Sequence, residues 1–510
     1  MKTSKTKLFL AALMVGGWTL HANAQQIDGR DFSVDGFAAC TGQPGTNYYR
    51  AEGTTGGAGG KVVYADNFSQ LQAYLQAKAP YIIMVDHDIT TGIKCYVDGI
   101  NTGKLCDKQD GSEGVETTYG ERILIAPNKT LVGVVNKETG KAPLFSHITF
   151  VMQAVDNIII RNCRFTMKGV PVLKSGENKI VAWRDGAQVE VGDPDCIGIQ
   201  ADKVSAKSDW GGHIWVDHCE FFNGDQANKD RYDGLLDCKN NVQWMTFSYN
   251  HFHDHDKACL FGKGNSDVFD GCRTISYHHN FLENIQGSRL PLQRGGNLHY
   301  MNNYQKGCED GWDIREKSVG YADACYFENT KSPVRSDRGG SVNINKEDGY
   351  DLIFKGCNNL VEGYTNIDGA KISNSYGVTA TDWEPTQTDA AYKVNNHDKT
   401  EDVPAVIEKY TGAGKIEIYT AYSDKVPGTD ITEYADAVKN RYLDNVYTYD
   451  ENGNKLTNVP TAVNSVNANS AASSVCYSIN GTRQNARAKG VNIVKTTDSN
   501  GNTKVLKTAN

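Results

Sequence analysis

No apolar run in the 510-residue chain is long enough to span a bilayer. The most apolar stretch, Leu8 to Val15, stands between the basic residues Lys2, Lys5 and Lys7 and the small residues Ala22-Asn23-Ala24. That order is expected of a secretory signal peptide over residues 1–24, leaving an exported mature chain with no membrane span. A basic excess is lacking too. The formal net charge is −8, and it becomes −11 once the three leader lysines are removed. Such a chain is a poor non-specific binder of nucleic acid. If its substrate is an anion, attraction has to come from a local basic cluster or a bound cation. Hairpin signals are sparse before about residue 370, which argues against an antiparallel sandwich. Helical patterning is sparse as well. Near the start, Phe68, Leu71 and Leu75 share one face after a possible Asn67 cap, so a helix is expected over Phe68 to Ala77.

Cysteine is plentiful, and the count of thirteen is odd. In an exported chain disulfides are expected. Cys95 with Cys106, and Cys308 with Cys325, could each close a small loop. Cys163 and Cys219 instead lie inside strand patterns, where a buried thiol serves as a small apolar residue. The sequence fixes no connectivity.

The 51 glycines and 26 tyrosines accompany short, β-rich segments that recur. Asn157 to Phe165, Ile214 to Phe221, Met245 to Phe252, Thr274 to Asn280 and Leu298 to Tyr304 each alternate and then reach an Asn or Cys. Taking Cys163, Cys219, Asn250, Asn280 and Asn303 as equivalent, the intervals are 56, 31, 30 and 23 residues. The first is about double, and Cys196-Ile197-Gly198-Ile199 is expected to supply a missing strand inside it. One strand and a polar turn per repeat is the pattern of a solenoid. The expected fold is therefore all-β, a parallel β-helix whose rungs stack about 4.8 Å apart and align equivalent side chains into ladders. The Phe68 helix would cap its open apolar end.

From about Thr381 the character changes. A helix is possible over Ile431 to Tyr442, and Asn464 to Ser474 has the composition of a linker. Residues 475–507 offer short strands broken by Asn480-Gly481 and Asn500-Gly501, both hairpin signals.

Two groups of residues carry chemistry. Asp193 and Asp195 flank Pro194, and Asp233 and Asp237 stand in Asp-Gly-Leu-Leu-Asp. Positions four apart on a straight strand are about 13 Å from each other, so Asp233 and Asp237 converge only if the chain turns, which Gly234 permits. If the two segments are neighbouring rungs, four carboxylates meet, the kind of oxygen cluster that calcium takes. The second group is basic. Lys257, Arg289 and Arg294 fall at similar positions of successive rungs on the carboxylate side, making a receptor for an anion. His253 and His255 could suggest a transition metal but are expected to project into solvent or the turn.

These residues stand in Ile214-Trp-Val-Asp-His218, Asp233-Gly-Leu-Leu-Asp237, Ser248-Tyr-Asn250, His255-Asp-Lys257 and Arg289-Leu-Pro-Leu-Gln-Arg294, with His299 and Asn302-Asn303 beyond. Together with Asp195-Cys-Ile-Gly-Ile199, Thr54 to Gly60 and Lys129 to Gly133, they are similar to the pectate lyases of polysaccharide lyase family 1, in the same order over about residues 50–305. The resemblance implies a right-handed β-helix that cleaves polygalacturonate by calcium-assisted β-elimination. It implies Asp195, Asp233 and Asp237 as calcium ligands with Asp193 a fourth, Arg289 as the base, and Lys257 and Arg294 on uronate carboxylates. Asp217 would be structural. Leu292 departs from the family, many of whose members carry a basic residue there, which touches subsite affinity more than chemistry. Rival readings are a polygalacturonase-type hydrolase or a pectin lyase on the same fold, and a non-catalytic glycan-binding β-helix. The C-terminal segment, 475–510 after an extension and linker over 416–474, looks like the terminal β module of proteins exported by some Gram-negative bacteria. A monomer is expected, with pectin polysaccharide as its partner.

Overall fold

The computed structural model describes, with side chains, residues 26–46, 49–91, 121–169, 195–201, 211–224, 232–268 and 273–416. As backbone strands it further describes 95–97, 100–104, 180–184, 187–191, 448–449, 455–456, 473–478, 483–484, 491–497 and 503–509. The leader, Asp193, Cys106 and the expected helix over Ile431 to Tyr442 lie outside these residues, as does the Cys95 side chain.

Three parallel sheets dominate the described residues. A ten-stranded sheet runs from Lys61–Tyr64 to Ser341–Ile344, a nine-stranded sheet from Ile89–Thr90 to Ile353–Lys355, and an eight-stranded sheet from Glu121–Leu124 to Val334–Arg338. The chain visits them in turn. Asp156–Arg161 belongs to the first, Arg164–Thr166 to the second, Ile197–Gln200 to the third, and Gly211–Asp217 returns to the first. This is a right-handed parallel β-helix with three strands per rung.

The 56-residue interval is accordingly one rung and not two. Asp156–Arg161 pairs directly with Gly211–Asp217, with Ile158 opposite Ile214. The strand at Ile197–Gln200 belongs to a different sheet, so it is not the missing repeat; the extra length is insertion.

The corner from the ten-stranded into the nine-stranded sheet is turned by one residue in the left-handed region. Asn162, His218, Tyr249, His279, Asn302 and Ala324 all have φ between 47° and 58°. The next residue is in each case the ladder position, Cys163, Cys219, Asn250, Asn280, Asn303 and Cys325. The Cys219 amide donates to Asn250 Oδ1 (3.0 Å), the Asn250 amide to Asn280 Oδ1 (3.0 Å) and the Asn280 amide to Asn303 Oδ1 (2.9 Å). Each Asn side chain also donates to a main-chain carbonyl of a neighbouring rung, of Val216, Phe247 and Tyr277 respectively. Buried polar groups at a sharp corner are thereby satisfied without water. Inside the coil, Phe145, Phe165, Phe221 and Phe252 stack with centroids 5.6, 4.9 and 5.0 Å apart.

The expected cap is present. The helix spans Phe68–Gln76, the Gln70 amide donates to the Asn67 side chain, and Leu71, Tyr74 and Leu75 are buried in the main core. What the repeat pattern did not foretell is that two flanking segments lie against the outer face of the ten-stranded sheet. The Phe37 amide donates to Ser276 Oγ (2.9 Å) and the Ala38 amide to Thr246 Oγ1 (3.0 Å). From the other end, Tyr392 Oη meets His299 Nδ1 of the same sheet (2.6 Å), while the following helix Val403–Tyr410 packs on the nine-stranded sheet, burying Val403 and Ile407 against its Phe281, Tyr304 and Tyr326.

The nine cysteines with described side chains are all free and buried. The loop that Cys308 and Cys325 could have closed is therefore not bridged. Cys308 Sγ donates to the Leu282 carbonyl and Cys325 Sγ to the Tyr300 carbonyl, both at 3.4 Å, because the two thiols occupy separate corners of the coil. Among the described residues no helix is long and apolar enough to cross a membrane.

The described C-terminal strands belong to a second compact unit. In it Arg483–Gln484, Ser473–Ser478, Val491–Thr497 and Thr503–Ala509 form an antiparallel sheet in that order. The two hairpins span the Asn-Gly pairs that signalled them.

Candidate active site

The strand Ile197–Gln200 pairs with Leu236–Lys239 on the next rung, with Gly198 opposite Asp237. Asp195 enters just before the first of these strands, Asp233 precedes the second, and Asp237 lies within it. Oxygens of Asp195, Asp233 and Asp237 all come within 4.8 Å of one another. Gly234 contributes in a way the sequence did not suggest. Its φ is not left-handed; it supplies room, since a Cβ there would come 2.0 Å from Asp237 Oδ1. Its amide donates to Asp195 Oδ1 (3.0 Å), while Asp237 Oδ1 accepts from the Leu260 amide (2.9 Å).

Cations surround the cluster. Arg289 Nη1 reaches Asp233 Oδ1 at 3.0 Å and Asp237 Oδ2 at 3.5 Å, and Lys257 Nζ reaches Asp233 Oδ1 at 3.2 Å. Lys239 Nζ stands between Asp195 Oδ2 (3.0 Å) and Asp237 Oδ2 (3.4 Å). Sequence reasoning missed Lys239. The signal was available, because a residue two beyond Asp237 on an alternating strand shares its face. Arg294 stands apart from this knot, donating to the Gly262 carbonyl (3.0 Å) and facing Glu316 (3.5 Å). It follows Gln293, which is aligned through Phe261 with Cys238, so Arg294 lies two rungs along the line that starts at Lys239. Leu292 is buried on the same strand, opposite Leu260 and Asp313.

The electrostatics follow from this crowding. Asp237 is wholly buried, and burial together with the Asp195 charge pushes its carboxyl up to about 7. Burial raises Asp195 as well, against the pull of Lys239. Asp233 goes the other way: burial alone would raise it, but Arg289 and Lys257 hold it below its ordinary value. For Arg289, burial disfavours the charged guanidinium, and Asp237 and Asp233 more than offset that. Burial and the neighbouring Arg315 lower Arg294.

The two histidines do not behave as expected. His253 is half-buried between Glu220 and Asp254, and His255 is fully buried with its Nε2 2.8 Å from the Asp233 carbonyl. The reason is local. Asp254 has φ 48°, which breaks the alternation and turns His255 inward. Asp217 is engaged with Arg161, His218 and Ser248 in the ten-stranded sheet, as a structural residue would be.

The carboxylates suit a divalent cation. Two oxygens about 2.4 Å from one calcium ion lie at most about 4.8 Å apart, and the oxygens of Asp195, Asp233 and Asp237 all fall within that limit. A buried carboxyl pushed up by its neighbour is one that a cation would relieve. Hard oxygen donors select calcium or magnesium over softer metals.

The pectate lyase family profile matches residues 37–416. The pectate trisaccharide-lyase of Bacillus licheniformis is 30% identical over 390 residues, covering 76% of this chain and 88% of that protein. That of Thermotoga maritima is 26% identical over 377 residues, 72% of this chain and 85% of its own. A solved structure, pectate lyase II of Xanthomonas campestris, is 21% identical with a TM-score of 0.47, over 75% of this chain and 99% of that one. The profile takes in every strand of the three parallel sheets, and the chain belongs to the pectate lyase family, as a polysaccharide lyase.

Proposed function

We propose that the protein cleaves (1→4)-α-D-galacturonan by calcium-assisted β-elimination, leaving oligogalacturonides with a 4,5-unsaturated end. The observation that carries this is the convergence of Asp195, Asp233 and Asp237 with Lys257 and Arg289 on one face of adjacent rungs. Calcium, held by those three carboxylates with Asp193 as a fourth ligand, would supply positive charge to the C6 carboxylate and so acidify C5–H.

The chain's own residues supply the rest. Lys257 and Arg294 hold uronate carboxylates already present in the ground state, which fixes the sugar for reaction. Arg289 takes the C5 proton. The C5–H electron pair becomes the C4=C5 bond, the C4–O bond breaks, and the glycosidic oxygen leaves and takes up a proton. A guanidinium is ordinarily protonated throughout. Burial favours a neutral Arg289, and Asp237 and Asp233 oppose it, so the base role requires both carboxylates to be engaged elsewhere.

The proposed organisation is a leader over 1–24 that exports the chain, a β-helix over 25–415, an extension and linker over 416–474, and a C-terminal module over 475–510 acting as a sorting signal. The enzyme works as a monomer on polygalacturonate or pectin. The deciding experiment follows ultraviolet absorbance of the unsaturated uronate during digestion of polygalacturonate, with calcium and with excess chelator. Absorbance should grow with calcium, stop with chelator and return on adding calcium back. Reducing ends released without absorbance would show a hydrolase instead, and full activity in chelator would remove the metal role of the aspartates.

A further inference from the structure

The strand His251–Lys257 grips Asp233 from two sides. Lys257 meets its carboxylate from outside the coil (3.2 Å), and His255 meets its main-chain carbonyl from inside (2.8 Å). His255 is aligned with Ile285, a fully buried residue of the next rung, and is itself about as buried. Its tautomer follows from the carbonyl it faces, which can only accept, so Nε2 carries the hydrogen, and the neighbour on the preceding rung is arranged to match. Asn223, also buried, accepts from the Met167 amide through Oδ1 (2.7 Å), which fixes the orientation of the amide and aims Nδ2 at His255 Nδ1 (3.5 Å). Nδ1 is thus an acceptor, Nε2 carries the hydrogen, and Nε2–H donates to the Asp233 carbonyl.

We propose that His255 is a positioning residue: oriented by Asn223, it fixes the main chain at Asp233 so that this carboxylate faces Asp195 and Asp237 with its oxygen ready for a cation. The relay from the Met167 amide through Asn223 and His255 to Asp233 crosses successive rungs and ends at the turn on which the cluster is built. An apolar side chain could fill the same interior space but would give the Asp233 carbonyl no donor. Outer groups that orient a metal ligand commonly govern affinity by 10-fold to 100-fold, about the range expected here.

The proposal rests on the calcium reading above, and the test separates the two. Calcium binding is measured by calorimetry on the full-length protein without substrate, for wild type, His255→Ala, His255→Gln and His255→Asn. Unfolding temperature is recorded in chelator, and kcat and KM for polygalacturonate at saturating calcium. A glutamine amide reaches the place of Nε2, whereas an asparagine amide reaches only that of Nδ1. The expected result is calcium affinity about tenfold or more weaker for His255→Ala and His255→Asn, with most of it recovered in His255→Gln. At saturating calcium, kcat falls for the weak variants and KM stays within about twofold, because Lys257 and Arg294 still hold the polymer. If wild type binds no calcium, the metal reading fails. If wild type binds and His255→Asn binds equally well, or His255→Gln is no better than His255→Asn, the positioning role is overturned. The Gln and Asn comparison decides even if His255→Ala does not fold.

Discussion

Arg289 faces two demands that conflict within one side chain. It follows Ser288, where its strand ends, with φ 70°, and its guanidinium points at Asp233 and Asp237. A left-handed conformation at a non-glycine residue costs on the order of 1 kcal/mol and persists where the surroundings enforce it. Here the main chain is tied, the Arg289 carbonyl accepting from the Cys259 amide (2.7 Å). Arg289→Lys keeps the charge and shortens the reach, withdrawing the Nη1 that contacts both carboxylates and losing the planar guanidinium. Turnover should fall about a hundredfold or more, while binding of uncleaved polymer changes little. Product absorbance and polymer binding, measured in parallel, check this, and a wild-type rate would move the base elsewhere. Of the residues implied by resemblance, Asp195, Asp233, Asp237, Lys257 and Arg289 do meet. Lys239 could have been found from its place two residues beyond Asp237 on the same strand face, though its contact with Asp195 depends on the pairing of two rungs.

Corners do the work of holding adjacent sheets in register. The Asn ladder satisfies main-chain groups along one corner, and the flanking left-handed residues stack His218, Tyr249 and His279 at 4.8 and 4.5 Å. Beside them Asp217 accepts from Arg161 Nε (2.7 Å) and Ser248 Oγ (2.7 Å) and lies 2.6 Å from His218 Nδ1. Burial alone would raise the Asp217 carboxyl; His218 and Arg161 outweigh it and hold it at about 2. The folded value lies below the unfolded one near 3.8, so the stabilisation is full above about pH 4 and is lost as pH falls toward 2. The loss amounts to about 2 kcal/mol. Urea unfolding of wild type and Asp217→Asn between pH 2 and 5 checks the sign: the wild-type slope should flatten in the variant. Near neutral pH the same variant should lose about 3–5 kcal/mol, since it removes the carboxylate charge that faces the buried Arg161.

At the scale of the whole molecule, the interior of the coil uses thiols as packing. Of the nine free, buried cysteines of the described residues, the eight from Cys163 to Cys357 belong to the main core, while Cys40 packs with Phe37, Trp244 and Tyr392 in a separate cluster. Burial pushes several of them up, Cys308 to about 12 and Cys357 to about 11, which suppresses the reactive thiolate. Thiol labelling of the native protein near neutral pH should leave these nine unmodified, and denaturant should expose them together. Rapid labelling of Cys308 or Cys325 in the folded state, identified by mass spectrometry, would contradict this packing.

The sequence by itself determined the architecture, because a β-helix is locally encoded. Each rung repeats a strand and a corner, so the intervals of Cys163, Cys219, Asn250, Asn280 and Asn303 expose the period directly, and Asn67 and Leu71 mark the cap. The motif residues also determined the family. Three things were decided only by tertiary structure. The 56-residue interval is one rung because strand pairing, not spacing, assigns Ile197–Gln200 to its sheet. Cys308 and Cys325 stay reduced because the coil places them at different corners. His255 points inward because a left-handed Asp254 shifts the alternation by one residue, and a single dihedral angle leaves no mark in composition or period. Local repetition is legible along the chain; which side chains meet across rungs depends on register, and register is set when the rungs stack.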